Sequence, residues 1–321
     1  MIYVDHTAIA TFAQDRVNLD AESVREYRAQ GNRLRERLEK HLAEDPGYAL
    51  VKMLNSGSVA KGTALSTIGD MDLAVYVKAA QAPTKEEELV YWLRDRLKEA
   101  YSEFDDDQFQ PQHHCVKLVY RTPNYVDIDV VPVLYEGETD NVGYLIEQDS
   151  GRRVRTSVSR HLEFIRKRKG QSPSNFAQVA RLLKWWAGHQ KARDPELRFK
   201  SFMIELICAH LSDGGHDFLD YPLAIEAFFA YIVRSELRER ISFTDYYRAG
   251  ELPAPTGAEI EIIDPVNPEN NIAASYTRQD RERIIAVATD ALEALTDAAY
   301  ATTKARAVED WRLVLGTSFR G

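Results

Sequence analysis

Two stretches of this chain place pairs of aspartates inside runs of strand-forming residues, and no other feature restricts its fold as tightly. One reads Asp70-Met-Asp72-Leu-Ala-Val-Tyr-Val77, the other Tyr125-Val-Asp127-Ile-Asp129-Val-Val-Pro132. Residues two apart on a strand share a face, so each pair turns both carboxylates the same way. In the first stretch Met71, Leu73, Val75 and Val77 then form the opposite face. That alternation suits a sheet with one core face and one active face. Carboxylates held side by side repel one another unless cations neutralise them. Hard cations such as Mg²⁺ take this kind of oxygen donor set, completed by phosphate oxygens of a substrate.

A turn of small residues precedes the first strand. It reads Asn55-Ser-Gly57-Ser58-Val-Ala-Lys61-Gly62-Thr63, with eleven residues between Ser58 and Asp70. Glycine lets the backbone approach a phosphate closely and take a positive φ. Successive N–H groups in such a turn form an anion-binding concavity, and Ser58 adds a hydroxyl donor. Thr63 is placed to open a short helix whose N-terminus also favours phosphate. With a third carboxylate from the second strand, these are the parts of a two-metal nucleotidyl-transfer site. One cation activates an attacking hydroxyl; the other steadies the triphosphate and its leaving pyrophosphate. Asp129 is taken as the third ligand because it directly precedes the Val-Val-Pro that closes its run. Asp127 shares its strand face, so the choice between them stays open.

Gly57-Ser58, Asp70-x-Asp72 and the later Asp129, in that order and spacing, resemble the polymerase-β-like nucleotidyltransferase superfamily. Three further segments narrow the likeness. They are Phe176-Ala-Gln-Val-Ala-Arg-Leu-Leu-Lys184-Trp-Trp-Ala, Phe199-Lys200-Ser201-Phe202-Met-Ile-Glu205-Leu-Ile-Cys and Ile262-Ile-Asp264-Pro-Val-Asn-Pro-Glu-Asn270-Asn271. Over residues 20 to 300 or so, the chain is similar to oligoadenylate synthases and to the bacterial cGAS/DncV-like nucleotidyltransferases. The resemblance implies an α/β (α+β) fold: a nucleotidyltransferase core with a mixed sheet, a C-terminal helical lobe completing a nucleotide cleft, and a long N-terminal spine helix. It implies two Mg²⁺ ions, replaceable by Mn²⁺, on Asp70, Asp72 and Asp129. It also implies NTP substrates, a cyclic di- or oligonucleotide second messenger of antiphage signalling, and a downstream effector that reads the product. Lys184 would contact the donor triphosphate alongside Gly57 and Ser58, Ser201 would help hold the phosphates, and Phe202 would stack on a base. The residues alone admit plainer roles: Lys184 with its stem packed and its head in water, Ser201 as a helix N-cap, Phe202 as core.

The net charge of −9 argues against broad binding of duplex nucleic acid, so activation by duplex DNA is not expected. Against that balance, Arg152-Arg153-Val-Arg155 and the run from Arg160 through Arg166-Lys167-Arg168-Lys169 form a basic block. It reads either as a solvated helix face or as a contact for nucleotide, RNA or a partner. Cys115 and Cys208 lie in apolar surroundings and read as buried thiols, consistent with the cytoplasm. His113-His114-Cys115 reads as consecutive strand residues facing opposite ways rather than as a metal site. No apolar run approaches the roughly 18 residues that span a bilayer, and the first residues lack the regions of a signal peptide.

The expected organisation is a core over 1–150 with its spine helix near 20–44, a helical lobe over 151–304, and a mobile tail over 305–321. Strands are expected near 50–55, 71–77, 115–121 and 125–134, and helices near 85–103, 156–169, 174–192, 200–213, 220–240 and 276–301. Residues 136–152, punctuated by Gly137, Gly143 and Gly151, read as a crossover; 259–263 reads as a returning strand. Asp264 to Asn271 reads as a rigid polar turn. Gly321 reads as an ordinary chain end, or, by the resemblance, as the site of conjugation by a ubiquitin-transfer-like partner. Two other functions compete with the cyclase: transfer of a nucleotide to tRNA, protein or a small molecule, and a non-catalytic nucleotide-binding module. Three clustered carboxylates argue against the second.

Overall fold

Both aspartate-bearing runs are strands, and they lie side by side. The computed structural model describes residues 3–43, 48–79, 85–148, 150–171 and 175–321. Its first elements are α1 (His6–Phe12), α2 (Ala21–Leu42), β1 (Tyr48–Ser56), α3 (Gly57–Lys61), β2 (Asp70–Ala79), α4 (Leu89–Ala100), β3 (Phe109–Pro111), β4 (Val116–Leu118) and β5 (Asp127–Leu134). There follow β6 (Gly143–Ile146), β7 (Arg153–Thr156), α5 (Val158–Gln171), α6 (Asn175–Arg193), α7 (Ser201–Asp213), α8 (Tyr221–Ser235), α9 (Arg278–Tyr300) and α10 (Lys304–Leu315). The chain divides into two units, Leu19–Glu163 and Met1–Asn18 with Phe164–Gly321.

In the first unit the described residues form a mixed sheet of order β1-β2-β5-β4-β3, with β6 on β5 and β7 on β6. β2 and β5 are parallel and the other pairings antiparallel. One face buries Met71, Leu73, Val75 and Val77 against Leu34, Leu38 and Leu42 of α2 and Leu89, Leu93 and Leu97 of α4. Each such side chain contributes about 1.5–3 kcal/mol of hydrophobic stabilisation. Asp20 caps α2, accepting from the N–H groups of Glu22 and Ser23. Within α2, buried Gln30 clamps the approach to β5: its amide donates to the Val126 carbonyl (2.7 Å) and its carbonyl accepts from the Val126 N–H (3.3 Å). Gly31 lets the helix close on the sheet, since a Cβ there would stand 2.9 Å from Met71 Cε.

The opposite face differs from expectation. Ala74 and Tyr76 follow Asp72 on it but are buried with Val133 and Val158. The Tyr76 hydroxyl accepts from the Val158 N–H (3.2 Å) and donates to the Asn141 carbonyl (3.0 Å). Only the start of that face, where the aspartates lie, is left for chemistry. The expected crossover over 136–152 contains β6. A Cβ on Gly143 would stand 2.7 Å from Val133 Cγ1 and 2.8 Å from the Leu134 carbonyl oxygen, so this glycine serves close strand approach rather than a loop.

The second unit is helical and includes the first eighteen residues, which the sequence placed with the core. Phe12 of α1 meets Trp185 (6.0 Å) and Phe319 (5.4 Å) edge-on, and Trp186 packs against Phe199 and Phe229. The tail expected to be mobile is α10 and a docked end: Phe319 is fully buried and its carbonyl accepts from Arg312 Nε (2.9 Å), while Gly321 is exposed. The strand expected over 259–263 reduces to single bridges, Ile241 to Ile262 and Ile263 to Asn271. The Asp264 turn forms as expected, with Asp264 Oδ1 accepting from the Val266 N–H (2.8 Å). α9 starts after Thr277, in a capping box with Asp280, rather than after Ser275. Among the described residues no helix is long and apolar enough to cross a membrane.

Candidate active site

The parallel register of β2 and β5 sets Asp70 beside Asp127 and Asp72 beside Asp129. Four carboxylates therefore occupy one corner of the sheet. Gly57 abuts them: it has φ +64°, and a Cβ on it would fall 1.6 Å from Asp72 Oδ2. No other residue type fits between β1 and that carboxylate. The short helix opens at Gly57 rather than at Thr63. Ser58 is its second residue and is half-buried, and Gly62, with φ +72°, closes it. Thr63 lies beyond the helix, fully buried, its N–H on the Ser58 carbonyl (2.9 Å).

Asp127 and Asp129 have different surroundings. Asp127 Oδ1 accepts from the Tyr120 N–H (3.1 Å), a bond that fixes the loop before β5. Asp129 Oδ1 is buried, and among the described residues no donor is within hydrogen-bond distance. Burial holds the Asp129 carboxyl above its usual range; Asp70 and Asp127 push the same way, against Lys117. A buried, acceptor-only oxygen beside three more carboxylates is what a hard divalent cation requires, so the residues present fit Mg²⁺ or Mn²⁺. Cys115 borders the centre, and burial with the nearby aspartates pushes its thiol up to about 12. It stays a thiol, as does buried Cys208.

Sequence reasoning missed Lys117. It pairs in register with Asp129, and its Nζ stands 3.2 Å from Asp70 Oδ2, 3.9 Å from Asp129 Oδ1 and 4.0 Å from Asp127 Oδ2. The signal was there, a lone cation between Val116 and Leu118.

The other expected site residues lie in the helical unit. Lys184 of α6 is not a snorkelling lysine. Its side chain is 4% exposed and its Nζ meets Glu205 Oε1 of α7 at 2.5 Å. Removing one partner of such a pair costs about 3–5 kcal/mol, because the other charge stays buried. Glu205→Leu is therefore expected to lower the denaturation midpoint sharply, and the double change Lys184→Met with Glu205→Leu to restore most of it; urea titrations of the three proteins check this. Ser201 is exposed at the first position of α7; the N-cap is Lys200, which corrects the plainer reading of Ser201. Phe202 is half-buried.

The basic block is largely spent within the chain. Arg152 pairs with Glu147, Arg153 with Glu86 and Glu136, Arg160 with Asp140, Lys167 with Asp245, and Arg168 with Asp213 and Asp245. Little of its charge is free for a polyanion. His113 and His114 do not face apart: their rings are 4.4 Å apart, and their donors lie within 4.8 Å of one another and of Glu147. Glu147 is already engaged by Arg152 Nε (2.7 Å) and the Ser150 hydroxyl (2.9 Å).

A family model described as a Second Messenger Oligonucleotide or Dinucleotide Synthetase domain matches residues 3–166. A cyclic AMP-AMP-AMP synthase of Escherichia coli strain MS 115-1 is 46% identical over 319 residues, 99% of this chain and 99% of its own length. A CBASS oligonucleotide cyclase, CdnC, of E. coli strain KTE188 is 26% identical over 98% of this chain and 97% of its own. Among solved structures, E. coli MS115-1 CdnC with ATP superposes with a TM-score of 0.90 at 46% identity, covering 99% of this chain and 100% of that one. The same protein in complex with HORMA-deltaN gives 0.89 at 46% identity, covering 99% of each chain.

Proposed function

We propose a reaction for this chain, which belongs to the second messenger oligonucleotide or dinucleotide synthetase family, the bacterial cGAS/DncV-like nucleotidyltransferases. It is a nucleotidyltransferase with the polymerase-β-like fold, and it makes a cyclic oligonucleotide second messenger of CBASS defence from nucleoside triphosphates. The observation that carries the reading to particular residues is the β2–β5 register, which gathers Asp70, Asp72, Asp127 and Asp129 beside Gly57.

Asp70, Asp72 and Asp129 are the residues to hold divalent cations; Asp127 is held back by its bond to Tyr120. Bound there, such cations supply Lewis acidity toward the α-phosphate, the attacking ribose hydroxyl and the departing pyrophosphate. Gly57 keeps Asp72 in place by leaving it room, and Ser58 offers a hydroxyl to a phosphate oxygen. The buried walls around Tyr76 limit water behind the aspartates. By the resemblance, Lys184 and Ser201 would meet the donor's triphosphate; within its own unit Lys184 is paired with Glu205, and its ammonium has three N–H donors, so that pair does not exclude a phosphate contact. By likeness to the E. coli synthase at 46% identity, the substrate is ATP and the product a cyclic triadenylate. By likeness to the complex with HORMA-deltaN, a HORMA protein is the partner.

Product analysis tests this. Purified protein is incubated with each labelled NTP, alone and mixed, with Mg²⁺ or Mn²⁺, treated with phosphatase, and the products weighed. ATP alone is expected to give a phosphatase-resistant cyclic trimer that EDTA abolishes. Label transfer onto tRNA or protein in added lysate, with no cyclic product from any NTP set, would overturn the reading.

A further inference from the structure

An ammonium stands among the carboxylates to which the metal-binding reading assigns divalent cations. Lys117 is on β4, its side chain 21% exposed, and Nζ lies within 4.0 Å of Asp70, Asp127 and Asp129. Nothing in the proposed reaction uses it. A lysine in an apolar strand could have been turned to the core face or to water; the register with Asp129 instead aims it at the carboxylates. Around it are three acidic groups from two strands, with Asp72 the fourth member of the cluster, so one positive charge offsets only part of the negative charge. Carboxylates this close repel unless a cation is among them.

We propose that Lys117 is the resident counter-ion of the acidic centre: its ammonium holds Asp70, Asp127 and Asp129 together in the metal-free protein, and divalent cations bind in competition with it. Two consequences have opposite signs. Without metal, Lys117 stabilises the sheet corner. With metal, it weakens binding, because a dication entering among these oxygens meets a charge of its own sign. A lysine that merely orients the aspartates would have the reverse effect on metal affinity. Competition of this kind favours loading when the metal arrives together with the negative charge of a triphosphate, rather than alone.

The inference rests on the aspartates being the metal ligands, and the experiment separates the two. Mn²⁺ alone, without nucleotide, is titrated into the full-length wild type, Lys117→Met, Lys117→Gln and Asp72→Asn, with free Mn²⁺ read by electron paramagnetic resonance. Thermal midpoints are measured in EDTA and in saturating Mn²⁺. Lys117→Met is expected to bind Mn²⁺ about tenfold more tightly than wild type, to melt lower in EDTA, and to gain more from Mn²⁺. Lys117→Gln, which keeps a polar group, should shift the same way and stands in if the Met variant aggregates. A tightening below threefold, or weaker binding, in a folded Lys117 variant overturns the inference. Equal Mn²⁺ binding by wild type and Asp72→Asn would instead overturn the ligand assignment beneath it.

Discussion

Asp72→Asn is expected to reduce nucleotide synthesis by about 10³-fold or more while leaving the protein folded. The carboxylate is flanked by Asp129 in register and by Gly57 at its back. On the proposed assignment its loss removes a cation ligand, and metal stabilisation of charge in such a transfer is worth several kcal/mol, each 1.36 kcal/mol being a factor of ten. The side chain keeps its shape, so the room left by Gly57 is still filled. Removing one of four like charges relieves repulsion, so the thermal midpoint in EDTA should hold or rise. Radiolabelled product formation with a parallel melting curve checks both halves. Synthesis within tenfold of wild type would remove Asp72 from the metal site. Lost synthesis with a lowered midpoint would point to damage to the sheet.

Gly57→Ala is expected to be nearly as severe for a different reason. The added methyl would fall 1.6 Å from Asp72 Oδ2 and 2.5 Å from its Cγ, so the carboxylate has to leave its position. A misplacement of about 1 Å in a reacting centre costs about a hundredfold. The residue also has φ +64°, where a Cβ adds about 1–2 kcal/mol of strain. The variant should thus lose at least about a hundredfold in synthesis and about 1–2 kcal/mol in stability. Gly188→Ala is the control: helical, with no atom within 4 Å of the added carbon, it should be silent or slightly stabilising. Comparable losses in both variants would mean that the effect at Gly57 is not the contact with Asp72.

The acidic centre was legible because its parts are local. Strand periodicity puts Asp70 with Asp72 and Asp127 with Asp129, and glycine marks the turn. What periodicity cannot give is which strands are neighbours and in what register. The parallel pairing that brings the two pairs together, and the antiparallel one that adds Lys117, depend on contacts between residues 10 to 57 apart in sequence, such as Asp129 with Lys117 and Asp70 with Asp127. The choice of Asp129 over Asp127 rested on its place before Val-Val-Pro. The structure offers a separate reason, the N–H of Tyr120 on Asp127. Ala74 and Tyr76 misled because the alternation that exposes Asp72 should expose them too; Val158 and Val133 cover them. Glycine was over-read as loop at Gly143, where the need was close packing between strands. Charge runs were the least legible. The block from Arg152 to Lys169 looks free in sequence and is mostly matched by acids distant in sequence, and Lys184, expected at the triphosphate by the resemblance, has its counter-charge on the next helix.

The measurement closest to the central claim is a crystal structure with Mn²⁺ and a non-hydrolysable ATP analogue, with manganese located by anomalous scattering. The metal peaks are expected within coordination distance of Asp70, Asp72 and Asp129, with triphosphate oxygens completing the shell and Lys117 drawn away from Asp70. Manganese at His113, His114 and Glu147 with none at the aspartates, or a nucleotide bound with no metal on β2 and β5, would contradict it.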